Sequence, residues 1–217
     1  MDDSSVASAE YTFPTEVASI EALQDIAVIG GLYRITGEVF MTYKNSSRNQ
    51  KYFQDELSGG RGIKIDDDNG YLTTALNIGD GITNLTGTIG QFNRMIQFTP
   101  AQNQSPDLPN STGNTLTPLP ITLADMIDDN NIITVAGQEI SVYQAVLIKV
   151  EDLEFEQVGN FDSGASFGEL PIFDPTASLA DINDADFGVI FRVEYSDLEY
   201  NGDPIPQIPL ALTAIVD

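Results

Sequence analysis

The chain has no histidine, no cysteine and no tryptophan. Each absence removes a class of chemistry. Without imidazole there is no Ser-His-Asp or Cys-His catalysis, no His-ligated zinc or iron, and no ordinary general base poised near neutrality. Without thiols there is no disulfide, no thiolate metal site and no iron–sulfur cluster. Positive charge is scarce too: 9 Lys and Arg stand against 33 Asp and Glu, for a formal net charge of −24. That balance opposes approach to nucleic acid or an anionic membrane. No apolar run approaches the roughly 20 residues that cross a bilayer as a helix. Met1-Asp2-Asp3-Ser4-Ser5 lacks the apolar core of a signal peptide. These exclusions point away from an enzyme and towards a binding or structural module.

What is present is enough to fold. The 217 residues are 41% hydrophobic, with 11 Phe and 8 Tyr, which suits one or two domains of roughly 100 residues. Thr, Ile, Val, Tyr and Phe recur in short runs cut by 18 Gly and 11 Pro, an all-β signature. Residues 1–18 read as an extended arm, with Tyr11, Phe13 and Val17 at even spacing. Ser19 caps a short helix over 19–29. Strands follow to residue 99. Residues 100–120 hold five Pro and read as a linker. Thr122 then caps a second short helix, and strands fill the rest.

The order of capped helix and then strands therefore occurs twice, a weak internal repeat. The first copy, 19–99, predicts five strands: Leu32–Tyr43, Lys51–Asp55, Gly62–Asp66, Gly81–Gly90 and Arg94–Thr99. A Gly-rich turn, Ser58-Gly59-Gly60-Arg61, joins the second to the third. Five strands with a long third connection match a small Greek-key barrel of the OB type. The second copy, 121–217, predicts only four, at Glu139–Phe155, Phe167–Phe173, Gly188–Tyr195 and Ile208–Val216. Its last strand is missing, and an open barrel edge invites assembly. The arm is the segment that could fill it, from the same chain or a neighbour.

The first copy carries a recognisable phrase: Tyr33-Arg34-Ile35-Thr36-Gly37-Glu38-Val39, Gln50-Lys51-Tyr52-Phe53-Gln54-Asp55, Gly62-Ile63-Lys64-Ile65-Asp66-Asp67, and Asn77-Ile78-Gly79-Asp80-Gly81 running on to Gln97-Phe98. The second adds Tyr195-Ser196-Asp197-Leu198-Glu199-Tyr200-Asn201-Gly202-Asp203-Pro204. Over roughly residues 20–217 the chain resembles the tandem OB-like domains of unknown function in secreted and surface proteins of Bacteroidota. That resemblance implies an extracellular or cell-surface location and an OB-type fold, and no catalytic residues. It also raises the idea that Met1 stands where a surface lipoprotein has its lipidated Cys.

Individual motifs are weighed against plainer readings. Gly164-Ala165-Ser166-Phe167-Gly168 fits a nucleophile elbow, but no base and no following helix support it. Asp66, Asp67 and Asp68, and separately Asp181, Asn183, Asp184 and Asp186, offer oxygens for calcium. Neither run keeps the EF-hand spacing, and capped strand ends explain both. The sequons at Asn45, Asn84 and Asn110 carry little weight, since Asn84 lies in an expected strand and a bacterial source of the kind the resemblance implies would not use them. The acidic, Lys-poor surface also suits salty surroundings.

Charge is the more telling pattern. Residues 31–98 hold seven bases and seven acids, whereas the remaining 149 hold 2 bases and 26 acids. Lys44, Arg48 and Lys51 sit in the loop that rims the usual ligand face of an OB barrel, with Arg61 and Lys64 nearby. Tyr43, Tyr52 and Phe53 are placed to stack rings. The patch could dock the acidic half of another copy, giving head-to-tail contacts and filaments. The plainer reading is that these charges keep the barrel soluble, and a third is that they hold an acidic glycan or peptide. The leading expectation is a non-enzymatic extracellular structural or adhesion protein that self-assembles into fibres by strand donation. The alternative is a monomeric surface module, with a lipid anchor, that binds a glycan or peptide through the first barrel. Neither reading involves nucleic acid or a transmembrane segment.

Overall fold

A computed structural model of the chain describes residues 13–45, 49–102, 108–161, 168–173, 189–193 and 202–216. The protein is mostly β. Its largest sheet has eight strands: β1 (Thr15–Val17), β2 (Leu32–Ile35), β3 (Val39–Asn45), β4 (Gln50–Gln54), β5 (Gly62–Asp66), β6 (Gly81–Ile82), β7 (Leu85–Phe92) and β8 (Met95–Pro100). Their spatial order is β1-β2-β7-β8-β5-β4-β3-β6. β2 continues into β3 through residues 36–38, so both ends of the inner path belong to one segment and the sheet curls. The expected first strand, Leu32–Tyr43, is thus split. Thr36 and Gly37 leave the strand path to donate their N–H groups to the carbonyls of Val17 (2.8 Å) and Ala18 (3.1 Å).

Helix α1 (Ile20–Ile26) crosses from β1 to β2. Ser19 caps it as expected, its Oγ accepting the Ala22 N–H at 3.1 Å. It ends short of residue 29, where Gly30 turns at φ 81° and its N–H donates to Ile89 O. Ile20 and Leu23 enter a core shared with Ile35, Met41, Phe53, Ile65, Leu85 and Phe98. Alternation along β2 selects Tyr33 and Ile35 for the buried face, whereas β4 and β5 are covered on both faces, with Tyr52 and Lys64 buried opposite Phe53, Ile63 and Ile65.

The 100–120 stretch is anchored in its described part. Asn110 donates its N–H to Gly81 O at 2.7 Å and Thr117 to Leu57 O at 2.8 Å. It ends in β9 (Leu119–Ile121), a strand absent from the sequence reading. Thr122 then caps α2 (Leu123–Ile127) through a complete capping box with Asp125. A hairpin follows, β10 (Ile132–Val135) and β11 (Gln138–Ser141), turned at Ala136 and Gly137, both with positive φ. The expected long strand from Glu139 is therefore a hairpin arm, a turn and then β12 (Leu147–Phe155). β13 (Gly168–Phe173), β14 (Ile190–Val193) and β15 (Leu210–Ile215) complete a second sheet in the order β14-β13-β12-β15, with β9 also on β12. No helix among the described residues is long and apolar enough to cross a membrane.

The two units pack as one. Val135 and Ile140 of the hairpin belong to the first unit's core. The side chain of Gln144 copies a peptide group at β8: its Oε1 accepts the Ile96 N–H (3.1 Å) and its Nε2 donates to Ile96 O (2.9 Å). Leu147 N–H donates across the junction to Gln54 Oε1 at 3.1 Å, and within the first unit Gln24 Nε2 donates to Gly62 O, beside that junction, at 3.1 Å. All three glutamines are buried. Gly62 lies so near the turn before β12 that a Cβ on it would meet the Ala145 carbonyl carbon at 2.5 Å.

Candidate functional site

The expected ligand face of the first unit is largely spoken for. Tyr43, Tyr52 and Lys64 are cross-strand neighbours on β3, β4 and β5. The two tyrosine rings lie 5.7 Å apart, tilted by 49°. Lys64 Nζ sits 5.3 Å from the Tyr52 ring centre, a cation–π contact. Tyr52 and Lys64 are buried, so neither rims an open groove. Phe53 points to the opposite face and is wholly buried in the core, so it cannot stack on a ligand. Lys44 and Lys51 face each other across β3 and β4. Their like charges are turned to structural use. Lys44 Nζ donates to Leu76 O at 3.2 Å. Lys51 Nζ donates to Asn49 Oδ1 at 2.8 Å and pairs with Asp67 at 3.4 Å. Arg61 reaches Val142 O at 3.4 Å and so tethers the second unit. Arg48 lies outside the described residues.

The acidic turn is likewise occupied. Asp67, buried, accepts the N–H groups of Tyr71 (2.7 Å) and Leu72 (3.1 Å), and with them pins the 67–80 loop whose Leu72 and Leu76 enter the core. Asp66 Oδ1 accepts from Gln50 Nε2 at 3.1 Å. Asp68 is exposed and belongs to no cluster. Among the described residues no three acidic groups gather as metal ligands. Asp181, Asn183, Asp184 and Asp186 lie outside the described residues, as do Gly164 and Ser166 of the elbow-like motif.

The donor arm divides. Val17 is the last residue of β1, paired with Ile35 and buried in its own unit's core, so it is no part of a free arm. Phe13, at the start of the described chain, is 79% exposed. Tyr11 lies outside the described residues.

The feature that stands out is the edge of the second sheet. β12 is bent at Asp152 (φ 55°), pairing β15 through its first part and β13 through its last. Among the described residues, no strand pairs with the outer edge of β14 or of β15. The inward row of β15, Leu210, Leu212 and Ala214, faces Leu153, Val150 and Ile148, yet stays half-exposed. In the first unit the matching residues of β7, Leu85 and Gly87, are buried, because β8 lies beside them. Beneath β9, a hollow of 390 Å³ is lined by Ile121, Thr122, Asp125, Lys149, Glu151 and Asp152. Here the Thr122 N–H holds the Asp125 carboxyl below its ordinary value, and the hydrogen bond from Lys149 does the same for Glu151. Both shifts favour the ionised form, which does not suit a general acid.

Sequence reasoning missed β9, the β10–β11 hairpin and the glutamine junction. β9 has a signal in hindsight: Leu119-Pro120-Ile121 precedes its capped helix as Thr15-Glu16-Val17 precedes the first. No family model, no curated protein and no solved structure matches the chain.

Proposed function

We propose that the protein is a non-enzymatic structural or adhesion subunit of the cell exterior. In this reading both units are OB-like Greek-key barrels, and copies join by strand donation from the N-terminal arm into the second one. Support for the barrel reading comes from the strand path. Taking β2 and β3 as one strand, the first unit runs in the order first-fourth-fifth-third-second-first, with β5 and β8 parallel, as in a five-stranded OB barrel. The second unit follows the same path as β15-β12-β13-β14, with no fifth strand between β14 and β15 among the described residues. That place between β14 and β15, taken by no strand among the described residues, is the observation that carries the proposal. Adding an extended segment to an open sheet edge is an established mode of β-augmentation. Donation between copies is a heterologous contact, which propagates into a fibre when it does not close.

The test is removal of residues 1–12, which leaves β1 and its helix intact. Electron microscopy and light scattering should show fibres for the full chain and single particles for the shortened one. Unchanged fibres after the deletion, or single particles before it, would refute donation.

A further inference from the structure

Between β5 and β6 the chain runs through residues 67–80 without entering a helix or a strand. A connection of that length without secondary structure is uncommon inside a compact unit. Its burial is nonetheless that of a strand. Leu72, Thr74 and Leu76 are buried, whereas Thr73, Ala75 and Asn77 are exposed. The alternation lays one row inward, and Leu72 and Leu76 join the first unit's core.

The bonds that hold this segment reach it from side chains. At its start the buried Asp67 accepts the N–H groups of Tyr71 and Leu72 and is itself paired with Lys51. At its end the buried Asp80 accepts the Asn77 N–H on Oδ2 at 2.8 Å, and the Gly113 N–H on Oδ1 at 3.1 Å. Between them Lys44 Nζ donates to Leu76 O at 3.2 Å. Only from Gly79 onward does the main chain bond to β3 directly, Gly79 N–H donating to Met41 O at 2.8 Å and Met41 N–H to Asp80 O at 2.9 Å. The inner strands are held differently. β5 is laddered to β4 and β8, and β7 to β2 and β8, by runs of paired residues.

We infer that residues 68–78 form a strap that opens as one unit while the eight-stranded sheet stays folded, uncovering the part of the core that Leu72 and Leu76 close. Lifting the strap unpairs no strand, and local opening draws on segments held by few interactions. It is one unit because its anchors share a single extended row. Leu72 and Leu76 span at most about 14 Å, with Thr74 between them on the same side, so raising either leucine pulls on the other. Asp67 and Asp80 are the latches at the two ends, and Lys44 is the clasp in the middle.

Hydrogen exchange of the full chain, followed by NMR at rising but sub-denaturing urea, is the test. The reporters are the amides of Tyr71, Leu72 and Asn77, which the two aspartates protect, set against amides within β5 and β7. The inference expects the three reporters to share one protection factor and one urea slope, well below the slope for β5 and β7. Lys44→Met removes the clasp and leaves both aspartates in place. It should quicken exchange at all three reporters by one common factor, about three- to tenfold. Leu76→Ala, which empties a place in the core, should quicken all three by a larger common factor. A reporter slope equal to that of β5 and β7 would mean that the strap opens only with the whole unit, and would overturn the inference. Quickening at Asn77 without Tyr71 and Leu72, or at none of the three, would overturn it too, because the ends then open independently. Reporters exchanging as fast as an unfolded peptide would refute the closed strap itself.

Discussion

Replacing Gly62 with alanine probes the junction that makes the two units one body. Gly62 opens β5 on an ordinary extended backbone, so alanine is not strained there by its dihedral angles. Space is the obstacle. A Cβ would lie 2.5 Å from the Ala145 carbonyl carbon and 2.6 Å from the carbonyl oxygens of Ala145 and Gln144. All three are main-chain atoms, so no side chain can swing aside. β5 is held by β4 and by the bond from Gln24, and the 144–145 turn by the two bonds of Gln144 to Ile96. Overpacking of this kind costs about 1–3 kcal/mol. Stretching both Gln144 bonds adds about 0.5–1.5 kcal/mol each, for about 2–6 kcal/mol in all. For a chain of this size Tm should fall by about 4–24 °C. Gly90→Ala is the control, because its Cβ would meet nothing nearer than Gln97 O at 4.0 Å. That variant should be neutral or stabilising by up to about 1 kcal/mol. Urea unfolding of both decides the matter. If G62A and G90A agree within about 0.5 kcal/mol, the close approach of the two units is refuted.

Gln144→Leu should orphan the Ile96 N–H and carbonyl at about 1–3 kcal/mol each. Hydrogen exchange at the Ile96 amide should then quicken, and an unchanged rate would count against the peptide-like role of Gln144. Asp67→Asn should cost about 1.5–3 kcal/mol by weakening bonds to Tyr71, Leu72 and Lys51, read as a lower urea midpoint with an unaltered m-value. Thr122→Ala should cost about 1 kcal/mol through loss of the cap of α2. The cap is also pH-sensitive. The bonds from Thr122 lower the folded pKa of Asp125 below its unfolded value. Its contribution is therefore full above the unfolded carboxylate pKa, about 3.9, and is lost as pH falls through the folded value. The stability gap between the native chain and Asp125→Asn should narrow from pH 5 to pH 2, and a constant gap would contradict the shift.

Local signals were the most legible. Ser19 and Thr122 as caps, the 62–66 strand and the turn at Gly59 and Gly60 all lie where residue chemistry alone puts them. Each depends on a few neighbours along the chain. The expected boundaries failed where a distant segment intervened. Leu32–Tyr43 alternates without interruption, yet β1 draws Thr36 and Gly37 away. Glu139 alternates into β11 because Ala136 and Gly137 turn the chain, not because it begins β12. The candidate site fared worst for the same reason. Phe53 alternates with Tyr52, but nothing in the run says which of the two faces the core. Lys51 and Lys64 read as free charges because Asp67 and the Tyr52 ring come from other strands. A charge count cannot distinguish a ligand-seeking lysine from one already bound.

The edge of the second sheet brings these levels together. Proteins guard exposed edges with charge, proline, bulges or brevity. β1 and β6 are guarded by brevity, at three and two residues. β15, Leu210-Ala211-Leu212-Thr213-Ala214-Ile215, has six residues without a charge, a proline or a glycine. It is the strand composition that pairs most readily with another chain. Its neighbour β12 carries Glu151, Asp152 and Glu154, and the whole molecule carries −24. Charge of that size holds copies apart without specificity. A partner strand must therefore offer more than stickiness: it must bring apolar residues on one face and little charge of its own. Residues 4–13 carry a single acid, Glu10. On the assembly reading, only a segment that is both apolar on one side and nearly neutral gains from reaching an edge on so repelling a body.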